Sequence, residues 1–367
     1  MANNRSRIAL VSLLFLVFLF PSCHVARYVW WNYADIKDCD KFPVVPISPS
    51  ENPKPFKSSA DNHTAVKYSG LDRKDTLEDY LRVHKTVAFL IIRNDSIIYE
   101  KYFNGYKRES ILPSFSVAKS FISALIGIAI QEGKIKSINQ PITDFLPELK
   151  DPGFRQVTLK DLLEMRSGIS FKEEYANPFG GMAKFYYGLD LSHYTLNLKT
   201  ENNPGTQYNY QSANTQLLAM ALERVTGMSV AKYLEEKIWK PMGSEYPASW
   251  SIDSQSDSEV KAFCCINARA IDFAKFGQLF LNGGEVEGKS IVPPPWISES
   301  LLIQTDSRDS QGFPYTYHWR VTENGDFFAK GILGQYIFVS PQNHVVIVRF
   351  GKKSSDVIWA EFFRKLL

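Results

Sequence analysis

Apolar residues change their spacing along this chain, and each change predicts a different element. The first run, Ile8 to Phe20, is apolar throughout except for Ser12; Arg5 and Arg7 precede it and Pro21-Ser22-Cys23 follow. A basic start, a short apolar core and a small residue before a break describe a secretory signal over residues 1–22. At thirteen residues the run falls short of the ~20 that a helix needs to span a bilayer. Across 23–65 periodicity is lost, and Pro43, Pro46, Pro49, Pro53 and Pro55 predict an extended tether. Trp30, Trp31 and Tyr33 in it suit either a membrane interface or packing on the domain. That domain occupies 66–367.

Helical spacing returns at Asp75 to His84, carried by Leu77, Tyr80 and Leu81. Two β-rich runs follow, Val87–Ile92 and Ser96–Phe103, separated by Asn94-Asp95, a hairpin signal. Phe121, Ile122, Ala124, Leu125, Ile128 and Ala129 then trace a helix that Gly133 stops. The middle of the chain stays helical. Thr158 and Asp161 approximate a capping box for a helix ended by Gly168, and Leu217–Val225, Val230–Trp239 and Ile271–Leu281 repeat the pattern. Strands resume at Tyr315–Val321, Asp326–Ala329, Gln335–Val339 and His344–Phe350, before an amphipathic helix over Asp356 to Leu367. Strands at both ends around a helical middle predict an α/β (α+β) fold, one antiparallel sheet formed by both ends of the chain with an inserted helical domain.

Composition narrows the function little. A formal charge of +3 over 367 residues, with no clustered Lys/Arg face, points away from nucleic acid. Cys23 after Ser22 resembles a bacterial lipoprotein cleavage site, which predicts export with attachment to a membrane through lipid on Cys23 or through an uncleaved anchor. Cys39 lies in the tether, and Cys264-Cys265 are adjacent, a geometry in which bridging is strained. No Cys/His spacing suggests a metal, and no motif calls for a cofactor.

The chemistry centres on Pro113-Ser114-Phe115-Ser116-Val117-Ala118-Lys119. If Ser116 opens the helix, Ser116 and Lys119 share a face one turn apart. A serine hydroxyl becomes a useful nucleophile when a base takes its proton, and a lysine is such a base once burial and positive surroundings lower its pKa. Helix-terminal amides there can also hold an oxyanion. Ser-x-x-Lys is a short pattern, and a serine opening a helix is ordinarily a cap. Within Pro204-Gly205-Thr206-Gln207-Tyr208-Asn209-Tyr210-Gln211-Ser212 a turn leads into the next helix, which presents Tyr210 and Ser212 on a loop. Such a tyrosine either packs under the loop or passes a proton to a leaving group.

Together, the Ser-x-x-Lys helix, the Pro-Gly-Thr-x-x-x-Tyr turn and the strand carrying Gly331 and Gly334-Gln335 resemble the serine β-lactamase-related family. Leu163-Glu164-Met165-Arg166-Ser167-Gly168-Ile169, Ala274–Leu279 and Leu281-Asn282-Gly283-Gly284 are similar to its connecting segments. The resemblance implies a β-lactamase/transpeptidase-like fold with Ser116 as nucleophile, Lys119 as base and Tyr210 as proton relay. It also implies an oxyanion hole from the Ser116 and Ile332 N–H groups, with Gly331 beside it. Two positions depart from class C lactamases: Ser212 stands where Tyr-x-Asn has asparagine, and Ala329-Lys330-Gly331 replaces Lys-Thr-Gly. Aligned on Gly331, Lys330 is one residue out, which points it at the opposite face of the strand. Tyr-x-Ser with Gly-Ile-Leu-Gly-Gln-Tyr resembles the 6-aminohexanoate-dimer hydrolase branch, and by that analogy Tyr175 and Asn267 line its pocket. The expectation is an exported serine hydrolase of a small ester or linear amide. The alternatives are a β-lactamase or D-alanyl-D-alanine carboxypeptidase, and a catalytically silent cell-wall peptide-binding protein.

Overall fold

A computed structural model describes residues 24–58 and 76–367. The signal segment, Cys23 and Asp75 lie outside the described residues, so the first predicted helix is described over Leu77–Val83, with Thr76 and Asp79 forming a reciprocal capping box. Strands are numbered in chain order: β1 Val44–Ile47, β2 Lys57–Ser58, β3 Thr86–Arg93, β4 Ser96–Tyr102, β5 Leu112–Pro113, β6 Ala248–Ser251, β7 Ile266–Ala268, β8 Glu285–Val286, β9 Lys289–Ser290, β10 Tyr315–Thr316, β11 Trp319–Val321, β12 Phe327–Gly331, β13 Gln335–Ser340 and β14 Val345–Gly351.

Eight strands form the main sheet in the order β10-β11-β12-β13-β14-β3-β4-β2. Both ends of the chain meet at the β14–β3 pair, as the sequence pattern predicts, with Ile347 opposite Ile91 and Val348 opposite Leu90. Alternation sends side chains to two apolar faces. Leu90, Ile92, Ala329 and Ile337 face the helical half; Phe89, Ile91, Phe328 and Tyr336 face Leu77–Val83 and the C-terminal helix Trp359–Arg364.

The helix Ala118–Gln131 is buried on every side from Ala118 to Ala129, which explains why its apolar residues after Ser120 go round the helix rather than forming a stripe. Phe121 stacks on Phe276 of the Ala270–Leu281 helix with centroids 3.6 Å apart. Burying each such large apolar side chain contributes about 1.5–3 kcal/mol.

Several expectations are corrected. The described part of the predicted tether is folded: His24–Trp31 is a helix, β1 pairs with β6, and Ile36, Phe42 and Ile47 join the core. With β5, β6 and β7, β1 builds a second sheet of four strands, so the chain has more than one sheet, and β2 adds a parallel edge to the first. Tyr315–Val321 is two strands, because Tyr317 and His318 take positive φ (31° and 66°) and fold the chain back. Val230–Trp239 begins as an α-helix and widens into a π turn over Glu235–Trp239.

Candidate active site

Ser116 does not open the long helix directly. It sits in a 3₁₀ turn, Phe115–Val117, that runs into it. Phe115 is held at φ 44°, a left-handed conformation disfavoured for a residue with a side chain. The surroundings impose it: the buried Ser114 N–H donates to the Ile266 carbonyl at 2.7 Å, and the Ile266 N–H donates to Ser114 Oγ at 3.0 Å. The turn is thereby pinned to β7.

Lys119 lies beneath, 1% exposed. Its Nζ donates to Ser116 Oγ at 3.1 Å, to Ser212 Oγ at 3.3 Å and to the Phe263 carbonyl at 2.8 Å. Those three acceptors exhaust the ammonium's three donors. Ser212, the first residue of the Ser212–Thr226 helix, in turn donates from Oγ to Glu173 Oε1 at 2.6 Å and from its N–H to Glu173 Oε2 at 2.8 Å. Tyr175 Oη also donates to Glu173, at 2.8 Å. A continuous hydrogen-bonded line therefore runs Ser116–Lys119–Ser212–Glu173–Tyr175.

Tyr210 comes in on the preceding loop. Its ring centroid lies 5.1 Å from Lys119 Nζ and 5.6 Å from the Arg320 guanidinium carbon, so both basic side chains flank it. The Leu163–Ile169 segment holds that loop. Arg166 donates to the carbonyls of Gly205 and Thr206, the Asn209 N–H reaches the Met165 carbonyl at 2.8 Å, and Ser167 Oγ bonds Asn214 Oδ1 at 2.6 Å.

From the other side β12 closes in. A Cβ on Gly331 would stand 2.7 Å from the Ser114 carbonyl and 3.2 Å from the Ser116 nitrogen, so only glycine lets the strand approach the turn. Ile332 follows at the seam. Ala329, on the same face as Gly331, is buried against the helical half. Lys330 pairs across from Tyr336 and comes from the opposite face, as the one-residue slip predicts. Its amine nonetheless curls to Gln311 Oε1 at 2.6 Å. Burial, then the Arg320 charge, pulls its pKa down to about 8.

Two lobes open at Ser116 and share Tyr175, Ile332 and Leu333. One, about 260 Å³, is walled by aromatic and apolar side chains, with Ser212 at its edge. The other, about 450 Å³, holds Tyr210, Gly331, Lys330, Asp309 and Arg320, the last two paired at 2.6 Å. Asn267 lines neither lobe, contrary to expectation. It lies on β7 with its amide nitrogen donating to Ser249 and Ser251 Oγ, at 3.4 and 3.1 Å, while its buried Oδ1 accepts from no group among the described residues. Cys264 and Cys265 form a vicinal disulfide, also contrary to expectation. Cys265 takes φ 75°, which turns the backbone back and brings the two side chains together.

Residues 75–356 match the model of the β-lactamase family. The chain belongs to the β-lactamase family. It is 28% identical over 299 residues to a 6-aminohexanoate-dimer hydrolase of Paenarthrobacter ureafaciens, covering 76% of this chain and 75% of that one. A solved Bacillus anthracis structure that carries the provisional name 6-aminohexanoate-dimer hydrolase superposes with a TM-score of 0.74 at 23% identity, covering 92% of each chain. A family VIII carboxylesterase gives a TM-score of 0.63 at 16% identity, over 79% of this chain and 95% of that one. The fold is thus β-lactamase/transpeptidase-like, and the protein is a hydrolase of the serine β-lactamase family.

Within this β-lactamase-family site, sequence reasoning missed Glu173, the Phe263 carbonyl, the Arg320–Asp309 pair and the N-terminal aromatics Tyr28 and Tyr33. Glu173 stands 39 residues from Ser212, and no local spacing announces that contact. His318 was also unsignalled. Burial lowers its pKa to about 3, so the ring is neutral and its Nδ1–H donates to the Lys119 carbonyl at 3.0 Å.

Proposed function

We propose that the protein hydrolyses a small carboxylic ester or linear amide through an acyl-enzyme on Ser116. The observation that carries this is the Ser116–Lys119 hydrogen bond at 3.1 Å, at the seam of two lobes. Lys119, once its ammonium has given up a proton, takes the Ser116 proton as Oγ attacks the carbonyl carbon. The oxyanion is held by the Ser116 and Ile332 N–H groups. Tyr210 delivers a proton to the departing oxygen or nitrogen, the leaving group exits, and water, deprotonated by the same groups, releases the acid and restores Ser116. The names of the hydrolase relatives support the reaction class.

β-Lactams should be poor substrates. Ala329 places no cation on the Ser116 side of β12, and Lys330 reaches the lobe from the far face. Losing one charge-assisted hydrogen bond costs roughly 1.5–3 kcal/mol, about a 10- to 100-fold deficit in acylation. The test is kcat/KM for p-nitrophenyl butyrate, a 6-aminohexanoate dimer and nitrocefin on one preparation, together with fluorophosphonate labelling of wild type and Ser116→Ala. Nitrocefin should be turned over more slowly than p-nitrophenyl butyrate and labelling should vanish in the variant; nitrocefin fastest, or persistent labelling, overturns the reading.

We also propose export with lipid on Cys23, from the Arg5/Arg7 start, the short apolar run and Ser22-Cys23. Mass spectrometry of membrane-extracted protein should find an acylated Cys23 terminus, and an intact Met1 or Ala2 terminus would contradict it. Among the described residues no helix is long and apolar enough to cross a membrane.

A further inference from the structure

We infer that the apolar lobe is the acyl-side site and that it selects a neutral, apolar acyl group of hexanoyl or phenylacetyl size over one ending in an ammonium. This rests on the proposed acylation of Ser116.

The assignment of sides follows from Tyr210. A residue that protonates the leaving group must stand on the leaving group's side, and Tyr210 lines only the polar lobe. The acyl chain is left with the other lobe. Its size is set by the N-terminal segment, which folds across as a strap and contributes Tyr28, Tyr33 and Ala34 to the wall. The strap is fastened at three points. Tyr28 Oη donates to the Tyr175 carbonyl at 3.0 Å, Tyr187 Oη donates to the Asn32 carbonyl, and Tyr186 Oη donates to Asp38 at 2.5 Å. An apolar cavity of about 150 Å³ holds benzene. The 260 Å³ here therefore accommodates a phenyl ring with a short linker, or a chain of about six carbons.

The charge around the box sets its selectivity. Among the described residues no Asp or Glu side chain lines it. Two carboxylates near it, Asp38 and Glu173, are occupied. Asp38 pairs with Lys41 at 2.7 Å and accepts from Tyr186; Glu173 accepts from the Ser212 N–H and hydroxyl and from Tyr175. The buried groups nearest the wall are two amines, which offer an ammonium no carboxylate partner. Lys119 bonds Ser212 and the Phe263 carbonyl, and Lys261 donates to the Tyr186 carbonyl at 2.7 Å. An ammonium entering the box would shed its water without gaining a carboxylate. The aromatic faces offer cation–π attraction, but that is smaller than the desolvation of an unpaired buried charge. A methyl or phenyl terminus loses nothing there and gains from burial.

The test holds the leaving group constant and varies only the acyl end: p-nitrophenyl hexanoate, phenylacetate and 6-aminohexanoate at pH 7, each corrected for its uncatalysed hydrolysis. Wild type should favour hexanoate and phenylacetate over 6-aminohexanoate by roughly a hundredfold in kcat/KM. Tyr33→Asp, a change at a half-exposed position of the box, should raise the 6-aminohexanoate/hexanoate ratio by about tenfold or more by supplying the missing carboxylate. Equal turnover of the three esters, or a wild-type preference for 6-aminohexanoate, overturns the inference while leaving acylation of Ser116 standing. Turnover of no ester, with no fluorophosphonate label on Ser116, overturns the catalytic reading and this inference with it. An unaltered ratio in folded Tyr33→Asp, judged by circular dichroism, removes the strap from selectivity.

Discussion

The two lobes share Ser116, Tyr175, Ile332 and Leu333 yet are made of opposite materials. The apolar lobe is built from the N-terminal strap and the Gly181–Tyr187 helix, packed by aromatic edges such as Tyr28 on Tyr187 and Phe42 on Tyr186. The polar lobe is built from the loop before β10, from β11 and β12 and from the residues before the C-terminal helix, and it holds an ion pair and a lysine with a neutral partner. The seam is fixed by short hydrogen bonds to buried groups, whereas each lobe wall comes from segments distant in sequence. Bond-breaking chemistry and substrate choice therefore reside in separate parts of the molecule, and they should fail separately when mutated.

Changes at the seam should have the largest effects and should spare no substrate. Ser116→Ala should lose about 10³-fold or more of kcat on every ester. Lys119→Ala and Tyr210→Phe should fold, by circular dichroism, and lose ~10²–10⁴-fold. A loss confined to one class of acyl group would show that the seam and the lobes are not separable.

In the polar lobe the effect should be smaller and selective. Lys330 enters this lobe from the far face of β12, off the line of a lactam's ring-held carboxylate, so it serves only a flexible chain. Lys330→Met should cut kcat/KM for linear amides whose leaving group ends in a carboxylate by roughly 10- to 100-fold relative to uncharged p-nitrophenyl esters. The Lys330 pKa is lowered to about 8, so wild type should lose the same preference as pH rises through 8, while Lys330→Met shows no such step. A preference that survives at pH 9.5 would assign anion recognition to Arg320 instead.

Glu173 sharpens the boundary between seam and lobe. Glu173→Gln keeps the shape but loses the charge that accepts from both Ser212 donors and from Tyr175. We expect about a tenfold fall in kcat with little change in KM, since a charged hydrogen bond is worth about 1.5–3 kcal/mol and glutamine keeps part of it. A rise in KM alone would make Glu173 a wall residue of the lobe.

The smallest effect is on stability. His318 has a folded pKa of about 3 against an unfolded value near 6.5. The unfolded chain therefore takes up a proton first as pH falls. The stability tied to the neutral ring is complete above about pH 6.5 and declines towards pH 3, by at most about 1.4 kcal/mol per pH unit. Comparing denaturant midpoints of wild type and His318→Gln between pH 7 and 5 isolates this slope; parallel profiles would contradict it.

Much of the fold was legible because its signals are local. Asn94-Asp95 marks the hairpin between β3 and β4, Thr158 and Asp161 form the expected capping box, and the apolar Phe121–Ile130 run, broken only by Ser123, marks the buried helix. The strap was misread because the prolines that follow it, Pro43 to Pro55, signal the absence of regular structure, whereas its anchors, Tyr28, Asp38 and Phe42, act through contacts more than a hundred residues away. Backbone reversals at non-glycine residues, Tyr317, His318 and Cys265, were invisible for a related reason. Tertiary packing holds those left-handed conformations, and no residue type announces them. In the site, Ser116, Lys119, Tyr210 and Ser212 were found because a motif carries them, and the structure brings them together. Asn267 was lost because analogy gives a position on a strand but not the direction in which Ser249 and Ser251 draw its amide nitrogen.

The central claim is a covalent intermediate on Ser116, and trapping it is the most direct measurement. Wild type mixed with p-nitrophenyl hexanoate and quenched in acid within the first turnovers should gain the mass of one hexanoyl group. Peptide mapping should place that mass on Ser116, and Ser116→Ala treated identically should gain none. An acyl group mapped to another residue, or wild-type turnover with burst kinetics and no adduct at Ser116, would contradict the account.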